Sequence, residues 1–219
     1  PGGIDLPMAV GASALAALVI GFLVVRTHGI YFIMVTMAFA QMVFYLFFDN
    51  KALGGSDGVF LNFRPDALLF DLESKRVFYF FTLVCLLAVY FFLRRLLWSP
   101  FGRALSGIRV NEHRMRSLGH RTFAAKLAAF VIAGAIGGLA GALLVNQQNY
   151  VSPNLMHWTQ SGVLMIMVIL GGVGTLAGGL WGALLMLSLE DLIAEFTPHF
   201  NFYVGWVLLA VVLLAPKGL

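Results

Sequence analysis

A chain of 219 residues that is 60% hydrophobic and only 11% charged, with a mean hydropathy of +0.91, is not an ordinary soluble domain, where about a quarter of residues carry charge. The net charge of +4 would suit nucleic acid, but the basic residues gather in one segment, with no aromatic interleaving and no recognised binding module. The single cysteine, Cys85, excludes a disulfide framework and a thiolate metal site and reads as a small buried hydrophobe.

Pro1-Gly-Gly-Ile-Asp5 has neither an initiator Met nor a basic leader region, so an N-terminally truncated chain without a signal peptide is expected. Residues 8–25 form a first uncharged apolar run, long enough to cross about 30 Å of hydrocarbon as a helix, and it ends at Arg26-Thr-His28-Gly29. His28 reads as an interfacial or snorkelling side chain rather than a ligand. The second run, 30–48, carries Thr36 and Gln41. Polar groups at membrane depth face a bundle interior or a cavity, so each is either an interhelical hydrogen bond or a solute contact.

Residues 49–76 are polar, with five acids and four bases. They contain Gly54-Gly-Ser-Asp-Gly58, a turn in which Asp57 caps a short helix or belongs to a site. The third span is 77–93. Residues 94–126 follow, holding eight of the fourteen Lys/Arg residues and one acid, Glu112. Such a loop marks the cytoplasmic face, and the balanced 49–76 loop lies opposite. Within it, Ser99-Pro100 opens a helix. Leu105, Ile108, Met115 and Leu118 recur at helical spacing with Arg109, Arg114 and Arg116 between them. One amphipathic helix over 102–118, ending at Gly119, is predicted, lying either in the headgroups or against a cytoplasmic partner.

The fourth span, 127–145, has Gly134, Gly138 and Ala142 on one stripe and Gly137 and Gly141 on another, both suited to close helix packing. Residues 146–160 are polar and include Pro153 and Trp158. Gly172-x-Gly174-x-x-Ala177 looks like a dinucleotide fingerprint, but its neighbours are membrane spans without strand-helix alternation, so a glycine-broken membrane helix is the reading. Its halves, 163–170 and 176–189, form two crossings or one kinked pass; a break at that depth is tolerated where protein or a cavity surrounds it. A last apolar pass, 199–215, has Tyr203 and Trp206 near its start as anchors and ends at Pro216-Lys-Gly-Leu219. The fold expected is an all-α polytopic membrane protein of about six segments, a single transmembrane domain over 1–219. No nucleophile-base pair, HExxH or P-loop is present, and neither a metal site, a cofactor nor an enzyme is expected.

Five stretches, in order, are similar to one family: Gly29-Ile-Tyr-Phe-Ile-Met-Val-Thr-Met-Ala-Phe-Ala-Gln41; Gly54-Gly-Ser-Asp-Gly58; Ser99-Pro-Phe-Gly-Arg-Ala-Leu-Ser-Gly-Ile-Arg-Val-Asn-Glu112 with Ser117-Leu-Gly and Lys126-Leu-Ala-Ala-Phe130; Gly171-Gly-Val-Gly-Thr-Leu-Ala-Gly178 with Gly182-Ala183; and the terminal Pro216-Lys-Gly-Leu219. They resemble the permeases of ABC importers for branched-chain amino acids, most closely the LivM-type subunits. Gly179 stands where many members have proline, and members usually carry further N-terminal spans.

The resemblance implies a bacterial inner-membrane permease that pairs with a paralogous permease, two ATP-binding subunits and an extracytoplasmic substrate-binding protein. It makes 94–126 the coupling loop, with Arg103, Arg109, Asn111 and Glu112 as ATPase-contact or helix-docking residues. Thr36, Gln41, Gly171, Gly172 and Gly174 are then the substrate-path candidates. Transport would proceed by alternating access. A urea or short-amide permease of the same family is an alternative, as is an ATP-independent secondary transporter. The absence of a mid-membrane charge argues against proton coupling in the latter.

Overall fold

The computed structural model describes residues 5–50, 55, 58–60, 74–172, 174–196 and 205. In chain order the elements are α1 (Asp5–Val24), α2 (Ile30–Phe48), β1 (Val59–Phe60), α3 (Lys75–Trp98), α4 (Pro100–Val110), α5 (Glu112–Ser117), α6 (Thr122–Gln148), β2 (Tyr150–Val151), a 3-10 turn (Pro153–Met156), α7 (Trp158–Gly171) and α8 (Leu176–Phe196). Four of these helices, α1, α2, α3 and α6, are long and apolar enough to cross a membrane, and α7 with α8 forms a fifth, broken candidate. The chain is an all-α polytopic membrane protein. The final pass expected over 199–215, with Tyr203, Trp206 and Lys217, lies outside the described residues except for Gly205, as do Asp57 and most of the 49–76 loop.

The chain divides into two compact units, 1–156 and 157–219. The first is organised on α1 and α6. Added Cβ atoms on α6 would run into α1, at Gly134 against Ala17 and at Gly138 against Ser13, while one at Gly21 of α1 would meet Phe130 and Leu127. Numbers that rise on α1 fall on α6, so the two helices are antiparallel, and their glycines let the backbones approach closely. Gly137 and Gly141 meet nothing within 4 Å. Of the two stripes read from the sequence, only the one through 134 and 138 is used here. Phe22 packs edge-on to Phe123 at 5.8 Å and Phe32 to Phe130 at 6.4 Å, extending the seam to α2. Gly29, at φ +61°, turns the chain between α1 and α2, a conformation that side chains disfavour.

Val59 pairs with Val151 and Phe60 with Tyr150 in an antiparallel ribbon, which ties the polar loop to the C-terminal end of α6. The basic loop packs at the other end, where Lys126 meets Glu112. A 27-residue helix spans roughly 40 Å, so the β1–β2 ribbon and the basic loop lie at opposite ends of α6. Large apolar side chains are widely exposed along α1, α2 and α3. Lipid is the solvent for such surfaces.

In the second unit, α7 and α8 turn by 112° at their break. Leu170 and Met186 form the core, with Ile166, Met167 and Leu185 packed against it. Close approach rests on glycines: a Cβ at Gly171 would strike the Gly178 carbonyl, and one at Gly182 the Met167 carbonyl.

Candidate functional site

The basic loop is folded as an elbow and two short helices. Trp98 ends α3, and the Ser99 hydroxyl donates to the Leu96 carbonyl and accepts from Gly102 N–H at 3.3 Å, which caps α4. Pro100 occupies the first turn, where its missing N–H costs nothing. The bend is so tight that a Cβ at Gly102 would collide with the Leu96 and Leu97 carbonyls. Along α4, Ile108 is buried while Arg103 and Arg109 are exposed.

The single helix expected over 102–118 is two. Asn111, at φ −157° and ψ 100°, is extended and breaks it. Its side-chain carbonyl accepts from Arg114 N–H at 3.0 Å, so Asn111 ends α4 and caps α5. Asparagine is well suited to this, because its side-chain oxygen replaces the carbonyl that the first turn lacks. Gly107 leaves room for the Met115 side chain of the second helix, so α5 folds back on α4. The chain leaves α5 through Gly119 at φ +83°.

Glu112 is the hub. Its Oε1 accepts from Arg116 Nη2 at 2.9 Å, one turn along α5. Its Oε2 accepts from Lys126 Nζ of α6 at 2.9 Å and lies 3.4 Å from His28 Nε2, in the α1–α2 link. One carboxylate thereby ties α5 to α6 and to the end of α1. Burial alone would raise its pKa, but the Lys126 hydrogen bond and charge, helped by the Arg116 and Thr122 hydrogen bonds, outweigh it and bring it down to about 2. Arg116 also reaches the buried Thr122 hydroxyl at 3.5 Å. Behind this hub an apolar cavity of about 290 Å³ lies between Leu105 of α4, Phe32, Ala129 and Phe130.

The four loop residues singled out from the sequence therefore separate into two kinds. Asn111 and Glu112 are engaged inside the chain. Arg103 and Arg109 are exposed, and their side chains make no hydrogen bond or ion pair among the described residues. His28, Arg116 and Lys126 were missed as a group. The cue was present, because one acid among eight bases will find a partner, but which bases it chooses depends on the fold.

The membrane candidates also differ from one another. The Thr36 hydroxyl donates to the Phe32 and Ile33 carbonyls of its own helix. Gln41 is half-buried and has no side-chain partner among the described residues. Gly171 serves the α7–α8 approach, Gly172 sits at φ +99°, and Gly174 is exposed with space around it. Thr175, passed over in the sequence, caps α8 by accepting from Gly178 N–H at 3.1 Å.

Several helices long and apolar enough to cross a membrane, two of them packed antiparallel, with a folded basic elbow at one end of α6, define a multi-pass α-helical membrane protein. Residues 4–216 match the family model described as "Branched-chain amino acid transport system / permease component", and the chain belongs to that family. It is 31% identical over 98% of its length to the high-affinity branched-chain amino acid transport system permease protein LivM of Salmonella typhimurium, and 30% identical over 98% to the Escherichia coli K12 protein of that name. A probable LivM permease of Methanocaldococcus jannaschii is 34% identical over 44% of this chain and 28% of its own length. The chain spans 56% of the length of the two bacterial relatives. No solved structure matches it.

Proposed function

We propose that this chain forms part of the translocation path of an ATP-driven importer for branched-chain amino acids, in the bacterial inner membrane. It would work beside a paralogous permease, with two ATP-binding subunits on the basic face and a substrate-binding protein on the other. The observation that carries this reading is the α4–α5 element. It is held to α6 and to the end of α1 by Glu112, yet it presents Arg103 and Arg109 outward without partners among the described residues. A force applied to those arginines by an ATPase reaches two membrane helices through one carboxylate. The cavity beside Leu105 leaves α4 room to shift as alternating access requires.

For the solute, Gln41 is the better candidate on α2, because its amide has no partner among the described residues while the Thr36 hydroxyl is already bonded. In the α7–α8 break, Gly172 at φ +99° holds a backbone conformation that side chains disfavour, which makes it the backbone candidate there. The test is uptake into proteoliposomes by the full permease with its partner subunits. Leucine accumulation that requires ATP and falls at least tenfold in Arg103→Glu/Arg109→Glu is the expected result. Leucine accumulation without ATP would overturn the importer reading, and ATP-driven uptake of urea in its place would overturn the cargo.

A further inference from the structure

A second basic feature lies away from the Glu112 hub. Phe91, Arg94, Arg95 and Trp98 stand at positions i, i+3, i+4 and i+7, one stripe of α3, and with Ser99 they line an open groove of about 800 Å³. All four stripe residues are exposed, Trp98 at 80% and Phe91 at 58%. Neither arginine has a hydrogen bond or an ion pair among the described residues, and every ion pair described there belongs to Glu112.

Depth along α3 says what the groove meets. Arg76 and Arg94 bracket its apolar stretch, and 18 residues of helix rise roughly 27 Å, close to the hydrocarbon thickness of about 30 Å. Both guanidinium groups of the groove therefore sit at headgroup level. Phe91 lies one turn deeper, among acyl chains, and Trp98 one turn out, in the interfacial belt. Two guanidinium groups without a counter-charge among the described residues, above an exposed aromatic wall at this depth, match a phosphodiester with its chains.

We propose that the groove of Phe91, Arg94, Arg95, Trp98 and Ser99 is a binding site for an anionic phospholipid of the phosphatidylglycerol class. The bound headgroup sits on the elbow that Ser99 and Gly102 make between α3 and α4, so the lipid braces the joint through which the loop is attached to the membrane. Neither the identity of the transported solute nor the use of ATP enters into this.

The purified full chain, in mild detergent, is titrated with phosphatidylglycerol and separately with phosphatidylcholine, and bound lipid is counted by native mass spectrometry. One phosphatidylglycerol is expected to bind in preference to phosphatidylcholine, and millimolar inorganic phosphate is expected not to displace it. Arg94→Gln/Arg95→Gln is expected to weaken binding roughly thirtyfold, from the usual effect of two headgroup-level basic residues. Arg114→Gln/Arg121→Gln, which removes the same charge elsewhere in the loop, is expected to change it less than twofold. Arg94→Lys/Arg95→Lys keeps the charge and is expected to retain most of the binding, which covers the case in which the glutamine pair does not fold. Equal affinity for the two lipids, equal losses in both glutamine pairs, or displacement by phosphate would overturn the site. Loss of a partner subunit from Arg94→Gln/Arg95→Gln with lipid binding unchanged would assign the groove to that subunit instead.

Discussion

Glu112 lies 20% exposed between Lys126, 25% exposed, and Arg116, 59% exposed. Ion pairs in water contribute little, and those shielded from it more, so the Lys126 pair carries most of the effect. Glu112→Gln is expected to destabilise the first unit by about 1–2 kcal/mol, as loss of a charge-assisted hydrogen bond does. The pH dependence has a definite sign. A carboxyl held at about 2 against an ordinary 4.5 adds stability above 4.5 and loses it as pH falls from there towards 2. Thermal unfolding of wild type and Glu112→Gln should therefore differ by a constant amount above about pH 5 and converge on acidification. A difference that widens in acid would contradict the pairing. The residue scale is where the sequence was least legible. That Glu112 needed a base followed from composition. That its neighbours include His28, far off in the chain, depended on α1 and α6 lying side by side.

At the scale of elements, the membrane helices were legible because hydrocarbon demands an unbroken apolar run of fixed minimum length. The 30–48 span coincides with α2, and α3 extends past the expected 77–93 into its arginines. The loop helix was misread as continuous because Leu105, Ile108, Met115 and Leu118 keep a helical period across a single extended residue. Asn111 before Glu112 was the available cue. Both glycine stripes of α6 looked equivalent, since their spacing is the same, and only the position of α1 separates them. Gly134→Ala/Gly138→Ala is expected to overpack the α1 seam and cost about 1–3 kcal/mol. Gly137→Ala, facing open space, is expected to be neutral or slightly stabilising, as helix propensity favours alanine. Thermal unfolding of the two variants in detergent distinguishes them. Equal behaviour would mean that α1 does not lie on the 134–138 stripe.

At the scale of the molecule, α6 sets the polarity. Its C-terminal end is joined to Val59–Phe60 by the β1–β2 ribbon and its N-terminal end to the basic loop by Lys126. The order of motifs along the chain was enough to indicate the family, and the family model matches residues 4–216. Which loop arginines are spent inside the chain and which remain outside was not legible, since it depends on how α4, α5 and α6 pack. Arg103 and Arg109 are outside; Glu112 is inside. Co-purification of an ATP-binding subunit with the tagged full-length permease tests this division most directly. Arg103→Glu/Arg109→Glu is expected to lose the subunit while keeping the wild-type unfolding temperature, and Glu112→Gln to lower that temperature while keeping at least part of the subunit. An ATP-binding subunit that stays bound to Arg103→Glu/Arg109→Glu at wild-type levels would contradict the assignment of the α4–α5 element as the coupling surface.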